Sequence, residues 1–278
     1  MLEAVLLGVL QGATEFLPVS SSGHLRLAER FLGHSEGMLG FDVAVHVGTL
    51  VAVLIVFRRD VAALLNFTSP VWRRSGLPLL GRLGLASVPA FAVGGFLLLS
   101  DGVSIEAVGV RAVSVLLLVN GLWLLLGERL GGREGPPDIT GGGVLGGRSG
   151  GGTPGLRSAL LIGLAQSVAI LPGISRSGAT ISTGLLCGLS RERAARFSFL
   201  LAIPAIAAAG AKELPSAASS AVGVPQLVAG TVAAALVGVL AIYSLLLLVR
   251  TRKLWVFAVY CWVVGLAALL ASVCVGVS

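Results

Sequence analysis

Charged residues are scarce in this chain of 278 residues. They make up 12% of it, whereas soluble domains carry about 25%, and hydrophobic residues make up 55%. The mean hydropathy is +0.96. Apolar runs such as those from Val224 to Val249 and from Leu254 to Val275 reach the roughly 20 residues that span a bilayer. The sequence therefore predicts a multi-pass membrane protein, because it has too few polar side chains to cover a globule in water.

Cysteine is nearly absent as well. Cys187, Cys261 and Cys274 lie in apolar stretches and lack the spacing of a metal or redox site.

The net charge is +7, and the basic residues lie mainly in short connections, as the positive-inside rule predicts. No basic face with interleaved aromatic side chains occurs, which argues against a nucleic-acid partner. The first residues lack Lys and Arg, so we expect no cleavable signal peptide.

Six full membrane spans are predicted, together with two apolar segments that are interrupted before they cross. The predicted spans are residues 39–57, 78–100, 109–127, 197–212, 225–249 and 254–275. We place Arg58 and Arg59 in the cytoplasm. The other basic connections then obey the positive-inside rule only if segment 1–38 enters the membrane from outside and returns there, and segment 157–190 enters from inside and returns there. The predicted fold is an all-α polytopic membrane protein, with six transmembrane helices, two re-entrant helical hairpins and both chain termini outside.

The two interrupted segments are similar to each other. The alignment of 8–23 with 163–178 pairs Gly8 with Gly163, Gln11 with Gln166, Ser20 with Ser175, Ser22 with Ser177 and Gly23 with Gly178. We therefore predict a first repeat over 1–130, a Gly-rich cytoplasmic linker over 131–156 and a second repeat over 157–278. In an inverted-topology repeat, interrupted helices meet near the middle of the membrane, where binding sites form.

The first interruption, EFLPVSSSGH, combines groups suited to phosphate chemistry. Gln11 and Glu15 are four residues apart and share a helix face. Pro18 disfavours helix at the residue before it, and one of the serines at 20–22 can cap the helix that restarts. A helix N-terminus favours bound phosphate. His24 then falls in the first turn of the new helix, where an imidazole with an ordinary pKa of about 6.5 suits acid–base work.

The second interruption, PGISRSGAT, supplies a positive charge. Arg176 lies between Ser175 and Ser177, and Thr180 follows in the next turn. An arginine near the bilayer midplane costs about 2.5–3.5 kcal/mol on insertion scales, so it needs an anionic partner. Its planar fork of donors matches phosphate oxygens. Together the two segments predict a phosphate site inside the membrane.

These two motifs resemble the signatures of a known family. QGATEFLPVSSSGH is similar to the (E/Q)xxxE and PVSSxGH signature of the bacterial undecaprenyl-diphosphate phosphatases, the bacitracin-resistance protein family, and PGISRSGAT resembles their PGxSRSxxT. The resemblance covers the whole chain. It implies hydrolysis of a C55 isoprenyl diphosphate lipid, recycling of this carrier for peptidoglycan synthesis, and bacitracin resistance. It also implies a place in the bacterial inner membrane, with the site open to the periplasmic or external side.

Carried over by position, the resemblance implies roles for ten residues. The implied catalytic residues are Glu15, Ser21, His24 and Arg176, and the implied substrate-binding residues are Gln11, Ser20, Ser22, Ser175, Ser177 and Thr180. A divalent cation, Mg²⁺ or Ca²⁺, is implied with Glu15 as its ligand. The family signature has Glu or Gln at the position of Gln11 and Glu at the position of Glu15. In this chain, Glu15 is therefore the only carboxylate at these two positions. A homodimer is compatible with the sequence but is not required by it.

The sequence leaves alternatives for the nucleophile and for the function. The nucleophile can be Ser21, a water molecule, or His24 oriented by Glu15. The function can also be that of a carrier-lipid flippase or transporter, because inverted repeats with broken helices are typical of secondary transporters. His46, in the first predicted span, is interpreted as an interior residue rather than a catalytic one.

Overall fold

The computed structural model is mainly helical in the part of the chain that it describes. It describes residues 1–32, 39–70, 72–100, 108–131, 153–217 and 222–274. The helices are α1 (Leu2–Phe16), α2 (Ser21–Leu32), α3 (Leu39–Val56), α4 (Arg58–Leu65), α5 (Leu77–Leu99), α6 (Val110–Leu130), α7 (Leu156–Val168), α8 (Arg176–Leu186), α9 (Arg191–Ala217), α10 (Val224–Arg250) and α11 (Leu254–Cys274). A π-helical turn, Trp72–Gly76, precedes α5. These ranges contain no strand, which confirms the all-α prediction.

Some predictions fall on residues that the structure does not describe. The predicted Gly-rich linker lies mostly at 132–152, outside the described residues. The end of the first predicted hairpin, 33–38, and the connection at 101–107 also lie outside them. The remaining parts of both predicted hairpins are described.

Five helices of the described chain are long and apolar enough to cross a membrane. These spans are Trp72–Leu97, Val110–Leu130, Arg191–Ala211, Val224–Arg250 and Leu254–Cys274. A sixth span results if α3 and α4, which meet at a bend of 79°, are counted as one. The chain is therefore a multi-pass membrane protein with five or six candidate spans.

Helix α9 begins at Arg191, before the predicted start of its span at residue 197. Its charged first turns stay helical because their side chains are paired. Arg191 Nη1 lies 2.9 Å from Glu128 Oε2 on α6, and Glu192 Oε1 lies 2.8 Å from Arg250 Nη2 on α10. Charges that have partners and lie at the end of a span need not interrupt the helix.

The first helix of each interrupted segment packs closely on a long helix from the other half of the sequence. Helix α1 lies against α10, and α7 lies against α5. A Cβ atom on Gly8 would lie 2.4 Å from the carbonyl oxygen of Gly230, and one on Gly163 would lie 2.4 Å from that of Ala86. Both contacts are backbone to backbone and leave no room for a side chain. The aligned glycines Gly8 and Gly163 thus both allow two helix backbones to come close together.

Both interruptions are real breaks in the helical path. Leu17, at the end of α1, has an extended conformation with φ −66° and ψ 144°. Ser20 has φ 71°, and Gly173 has φ 108°. A positive φ is uncommon for serine and ordinary for glycine, so the backbone reverses sharply at both tips before α2 and α8 begin.

Candidate active site

The helices that follow the two breaks begin with equivalent serine caps. Ser20 Oγ accepts a hydrogen bond from the amide of Gly23 at 3.3 Å, and Ser175 Oγ accepts one from the amide of Gly178 at 3.1 Å. Ser20 is therefore the cap among the three serines that the sequence offered. The first amides of a helix have no partner within it and carry its positive dipole end. Two such helix starts are available to an anion here.

The two tips touch each other directly. The amide of Gly173 donates to Ser20 Oγ at 3.1 Å, and Ser177 Oγ donates to the carbonyl oxygen of Leu17 at 3.2 Å. A Cβ atom on Gly23 would lie 3.3 Å from Gly173 Cα. The predicted meeting of the two interrupted segments is thus present, through backbone and serine contacts that only small residues permit.

Glu15 is the centre of the contact between the tips. Its Oε1 accepts a hydrogen bond from Arg176 Nη2. Its Oε2 accepts from Gln11 Nε2 at 2.9 Å and from Ser21 Oγ at 2.8 Å. Arg176 Nη1 also donates to the carbonyl oxygen of Ala202 on α9 at 3.2 Å. The structure therefore brings three of the four predicted catalytic residues, Glu15, Ser21 and Arg176, into one hydrogen-bonded network.

His24 lies in the same first turn of α2, but its hydrogen bonds lead elsewhere. Its Nδ1 lies 2.8 Å from the carbonyl oxygen of Ser20, and its Nε2 lies 2.8 Å from the Tyr260 hydroxyl on α11. The two rings are stacked, with centroids 5.6 Å apart and planes at 11°. Among the described contacts, His24 therefore makes no bond to Glu15 or Arg176.

The other predicted substrate-binding residues have different surroundings. Ser22 is exposed, and its hydroxyl lies 3.4 Å from that of Ser20. Ser177 is buried, and its hydroxyl lies 3.0 Å from that of Ser175. Thr180 Oγ1 lies 2.7 Å from the carbonyl oxygen of Arg176 and 2.6 Å from Ser198 Oγ. Ser22 thus has a hydroxyl open to a ligand, whereas Ser177 and Thr180 take part in holding the tip.

Asn120 is a buried link between the tips that sequence reasoning missed. Its Nδ2 donates to the carbonyl oxygen of Pro18 at 2.9 Å, and its Oδ1 accepts from the amide of Ser175 at 3.0 Å. The side chain is fully buried. An amide in the middle of an otherwise apolar span was the available signal. Tyr260, the partner of His24, gave no comparable signal.

His46, interpreted from the sequence as an interior residue of a span, lies on α3. It is half-buried, with Nδ1 2.7 Å from the carbonyl oxygen of Asp42. This hydrogen bond stays within its own helix.

Two side-chain oxygens at the contact between the tips are of the kind that a divalent cation binds. Among the described residues, no group of three or more His, Cys, Asp and Glu side chains could hold a metal ion. Gln11 Oε1 is buried without a hydrogen-bond partner, next to the Glu15 carboxylate to which its Nε2 is bonded. Mg²⁺ sites commonly use one or two carboxylates and the oxygens of substrate phosphates. Glu15 and Gln11 supply oxygen donors of that kind.

These features define a class of protein. It is an all-helical, multi-pass membrane protein in which two interrupted helices meet at a buried carboxylate and guanidinium, with two helix starts beside them. The chain belongs to the family described as bacitracin resistance protein BacA, which matches residues 4–267.

Relatives in this family match the chain almost end to end. The undecaprenyl-diphosphatase of Desulforapulum autotrophicum is 40% identical over 287 residues, covering 97% of this chain and 98% of that protein. The undecaprenyl-diphosphatase of Syntrophotalea carbinolica is 43% identical, covering 95% and 96%. That of Halothermothrix orenii is 38% identical, covering 97% of both proteins. These matches confirm the family resemblance that the two motifs carried.

Proposed function

We propose that this chain is a membrane phosphatase that hydrolyses undecaprenyl diphosphate to undecaprenyl phosphate and phosphate. Two findings support the proposal. The relatives are named undecaprenyl-diphosphatase, and Ser21 and Arg176 both donate hydrogen bonds to the carboxylate of Glu15. The reaction returns the carrier lipid to peptidoglycan synthesis. The family is described as a bacitracin resistance protein, so we propose that this chain also confers resistance to bacitracin.

Binding of the diphosphate rests on donors from both tips. Arg176 uses one donor for Glu15 and another for Ala202, and a guanidinium has five. The first amides of α2 and α8 and the exposed hydroxyl of Ser22 add further donors. The ion pair with Glu15 keeps the guanidinium in place before substrate arrives, so little reorganisation is needed when phosphate oxygens bind.

The hydrogen bond from Ser21 to Glu15 favours serine as the nucleophile. Ser21 Oγ attacks the terminal phosphorus, and its proton passes to Glu15 Oε2, which lies 2.8 Å away. The new Oγ–P bond replaces the bond from phosphorus to the bridging oxygen, and undecaprenyl phosphate leaves with that oxygen and its electron pair. A water molecule then hydrolyses the phosphoserine. Arg176 stabilises the charge on the transferring group, which is the main demand of phosphoryl transfer.

The role of His24 is to move protons rather than to attack phosphorus. Glu15 bonds to Gln11, Ser21 and Arg176, so it orients the serine and not the imidazole. Ser21 and His24 are three residues apart on α2 and share a helix face. The imidazole therefore lies on the side of α2 that a phosphate attached to Ser21 would face, and its proton exchange takes place at Nε2, since Nδ1 is bonded to the carbonyl oxygen of Ser20.

A divalent cation, Mg²⁺ or Ca²⁺, belongs to this proposal. Glu15 and the unpartnered Oε1 of Gln11 would hold it together with the diphosphate. When bound, such a cation neutralises phosphate charge. The protein residues still supply the nucleophile, the proton acceptor and the fixed positive charge.

The proposed setting is the bacterial inner membrane, with an inverted-topology repeat, six spans and two re-entrant hairpins. The reciprocal packing of α1 on α10 and of α7 on α5 supports the repeat, as do the paired serine caps. Basic residues at the ends of spans support cytoplasmic placement of 191–196 and 250–253, which leaves both termini outside. The site is then reached from the periplasmic or external side, and the lipid from the bilayer.

A phosphate-release assay on detergent-solubilised protein tests this function, because hydrolysis needs no closed compartment and transport does. We expect farnesyl diphosphate and undecaprenyl diphosphate to release phosphate with Mg²⁺ or Ca²⁺, and a chelator to stop the release. The absence of phosphate from both substrates would overturn the proposal. The flippase alternative is not favoured, since the curated relatives reported above are all named for diphosphatase activity.

Single substitutions test the serine route within that assay. We expect Ser21→Ala and Glu15→Gln each to lower kcat by about 10²–10⁴-fold, as loss of a group that moves a proton does. Ser167→Ala is the matched control, since this serine lies on α7 and its hydroxyl donates to the carbonyl oxygen of Leu164 on the same helix. Near-normal turnover by Ser21→Ala would exclude serine and leave water or His24 as the nucleophile.

A further inference from the structure

We infer that Tyr260 is a positioning residue for His24 in the hydrolytic reaction. This inference rests on the proposed phosphatase function and adds to it a residue outside both sequence motifs. Tyr260 lies on α11, whereas His24 lies in the first turn of α2. Its hydroxyl is 2.8 Å from His24 Nε2.

The hydrogen bonds determine where the imidazole proton lies. The partner of Nδ1 is the carbonyl oxygen of Ser20, at 2.8 Å, and a carbonyl oxygen can only accept. Nδ1 therefore carries the proton of the neutral ring, and Nε2 has a lone pair. The Tyr260 hydroxyl must then donate to Nε2. The phenolic oxygen keeps a lone pair, so the attacking water can give its proton to the Tyr260 oxygen while the hydroxyl proton passes to Nε2, and the contact serves both protonation states.

The contact also fixes the orientation of the ring. His24 is held at both nitrogens, and its ring is stacked on that of Tyr260 with planes at 11°. Rotation of the imidazole about its Cβ–Cγ bond would break both hydrogen bonds at once. A general acid or base works best when its geometry is already set, because a small misplacement lowers the rate strongly.

Tyr260 is itself attached to the scaffold that joins the two tips. The next residue, Cys261, lies 3.3 Å from Asn120 Nδ2, the amide that links Pro18 to α8. The residue after that, Trp262, donates from Nε1 to the carbonyl oxygen of Leu118 at 3.0 Å. The pair α6 and α11 therefore holds the tips and the partner of His24 in one frame.

A purely structural role for Tyr260 predicts a different result from a positioning role. Its side chain is 43% exposed, so its hydroxyl is not needed to fill a core. Replacing the hydroxyl with hydrogen keeps the stacked ring and leaves most packing unchanged. A positioning role predicts a loss in kcat with KM preserved, since substrate binding depends on Arg176 and the helix starts instead.

The first measurement is the kinetics of Tyr260→Phe in the phosphate-release assay. We expect kcat to fall about tenfold, as loss of one hydrogen bond of ordinary strength predicts, with KM unchanged within about twofold. The matched control is Tyr243→Phe, since Tyr243 is the other of the two tyrosines, lies on α10 and is 55% exposed. Wild-type kcat in Tyr260→Phe, or a loss confined to KM, would overturn the inference.

The second measurement needs no activity. Nitrogen-15 NMR of the three histidines should show one ring protonated at Nδ1 with a hydrogen-bonded Nε2, and His24→Gln should remove that signal. Tyr260→Phe should shift its Nε2 resonance, and Tyr243→Phe should not. An unshifted resonance would refute the contact itself. If the resonance shifts but the wild-type protein releases no phosphate, the proposed function has failed and the catalytic role of Tyr260 fails with it.

Discussion

The ion pair between Glu15 and Arg176 lowers the free-energy cost of burying both charged side chains. Glu15 is 8% exposed, and the Arg176 side chain is 17% exposed. A buried charge without a partner costs several kcal/mol, whereas a paired and hydrogen-bonded one can persist. Gln11, Ser21 and the carbonyl of Ala202 occupy further hydrogen-bonding positions of the pair. The sequence predicted that Arg176 needs an anionic partner, and the structure shows that Glu15 is that partner.

The geometry of Arg176 should matter beyond its charge. Its two terminal nitrogens contact Glu15 and Ala202 at once, which the single ammonium of lysine cannot reproduce. We expect Arg176→Lys to fold and to lower kcat/KM about 100-fold in the phosphate-release assay. Arg193→Lys, at an exposed position on α9, should leave the rate unchanged. Equal rates for both variants would show that charge alone is sufficient.

Asn120 should hold the tips in register. Asn120→Asp removes the donor to the carbonyl of Pro18 and places a carboxylate oxygen against it, in a fully buried position. We expect a loss of about 2–3 kcal/mol in the free energy of unfolding, together with lower kcat, because a buried group is left without its partner. Thermal unfolding in detergent and the phosphate-release assay measure the two effects.

The chain offers an isosteric control for that substitution. Asn66 lies in the exposed turn after α4, and its Oδ1 accepts from Thr68 Oγ1 at 3.0 Å, which an aspartate can also do. Asn66→Asp should therefore leave unfolding and turnover unchanged. If Asn120→Asp behaves in the same way, Asn120 does not link the tips in the functional protein.

At the scale of the element, close helix contacts decide where the tips lie. Helices α1 and α7 are held against α10 and α5 at Gly8 and Gly163, and the tips follow at the ends of these two helices. Small residues allow such backbone approach in membrane proteins, where packing rather than the hydrophobic effect drives helix association. The distance between the tips therefore depends on residues well away from the site.

A methyl group at Gly163 should separate α7 from α5. The new Cβ would lie 2.4 Å from the carbonyl oxygen of Ala86, so the backbone must move. We expect Gly163→Ala to cost about 1–3 kcal/mol in unfolding free energy, as overpacking does, and to lower turnover by shifting Arg176. Thermal unfolding and the phosphate-release assay report on these changes.

Gly84→Ala, on α5, is the control for Gly163→Ala. A Cβ at Gly84 would meet nothing within 4 Å. Alanine is a better helix former than glycine by about 1 kcal/mol, so this variant should be neutral or more stable. A destabilised Gly84→Ala with an unaffected Gly163→Ala would contradict the packing described for α7.

At the scale of the whole molecule, ion pairs connect the ends of several helices. Arg196 lies 3.0 Å from Glu192 and 3.7 Å from Asp60, and Glu192 also contacts Arg250. These contacts join α4, α9 and α10 at the end of the bundle for which we propose a cytoplasmic position. In that proposed orientation, the chain termini and the access to the site are at the opposite end.

The native cysteines provide a test of that orientation. Cys274 is exposed at the end of α11, Cys187 is half-buried at the end of α8, and Cys261 is buried. We expect a membrane-impermeant thiol reagent to label Cys274 in intact cells and Cys187 only after permeabilisation. Cys274→Ser and Cys187→Ser assign the two signals. Labelling of Cys187 in intact cells, with Cys274 protected, would reverse the proposed topology.

The features that could be predicted without coordinates follow from local chemistry. Proline at 18, glycine at 173 and the serine caps break and restart helices through their own backbone preferences, so the two interruptions and their reactive groups were readable without coordinates. The spans were readable because apolar length is a local property. The repeat and the membrane orientation remain proposals, since they depend on how separate segments are arranged.

Which groups meet could be seen only in the folded chain. The contacts of Asn120 with Pro18 and Ser175, and of Tyr260 with His24, join residues far apart in sequence. Such contacts depend on how each helix is rotated and how closely it packs, and composition and spacing do not determine either. For the same reason Asn120 could be placed in a span but not between the two tips, because which face of a helix meets a site is set by its neighbours.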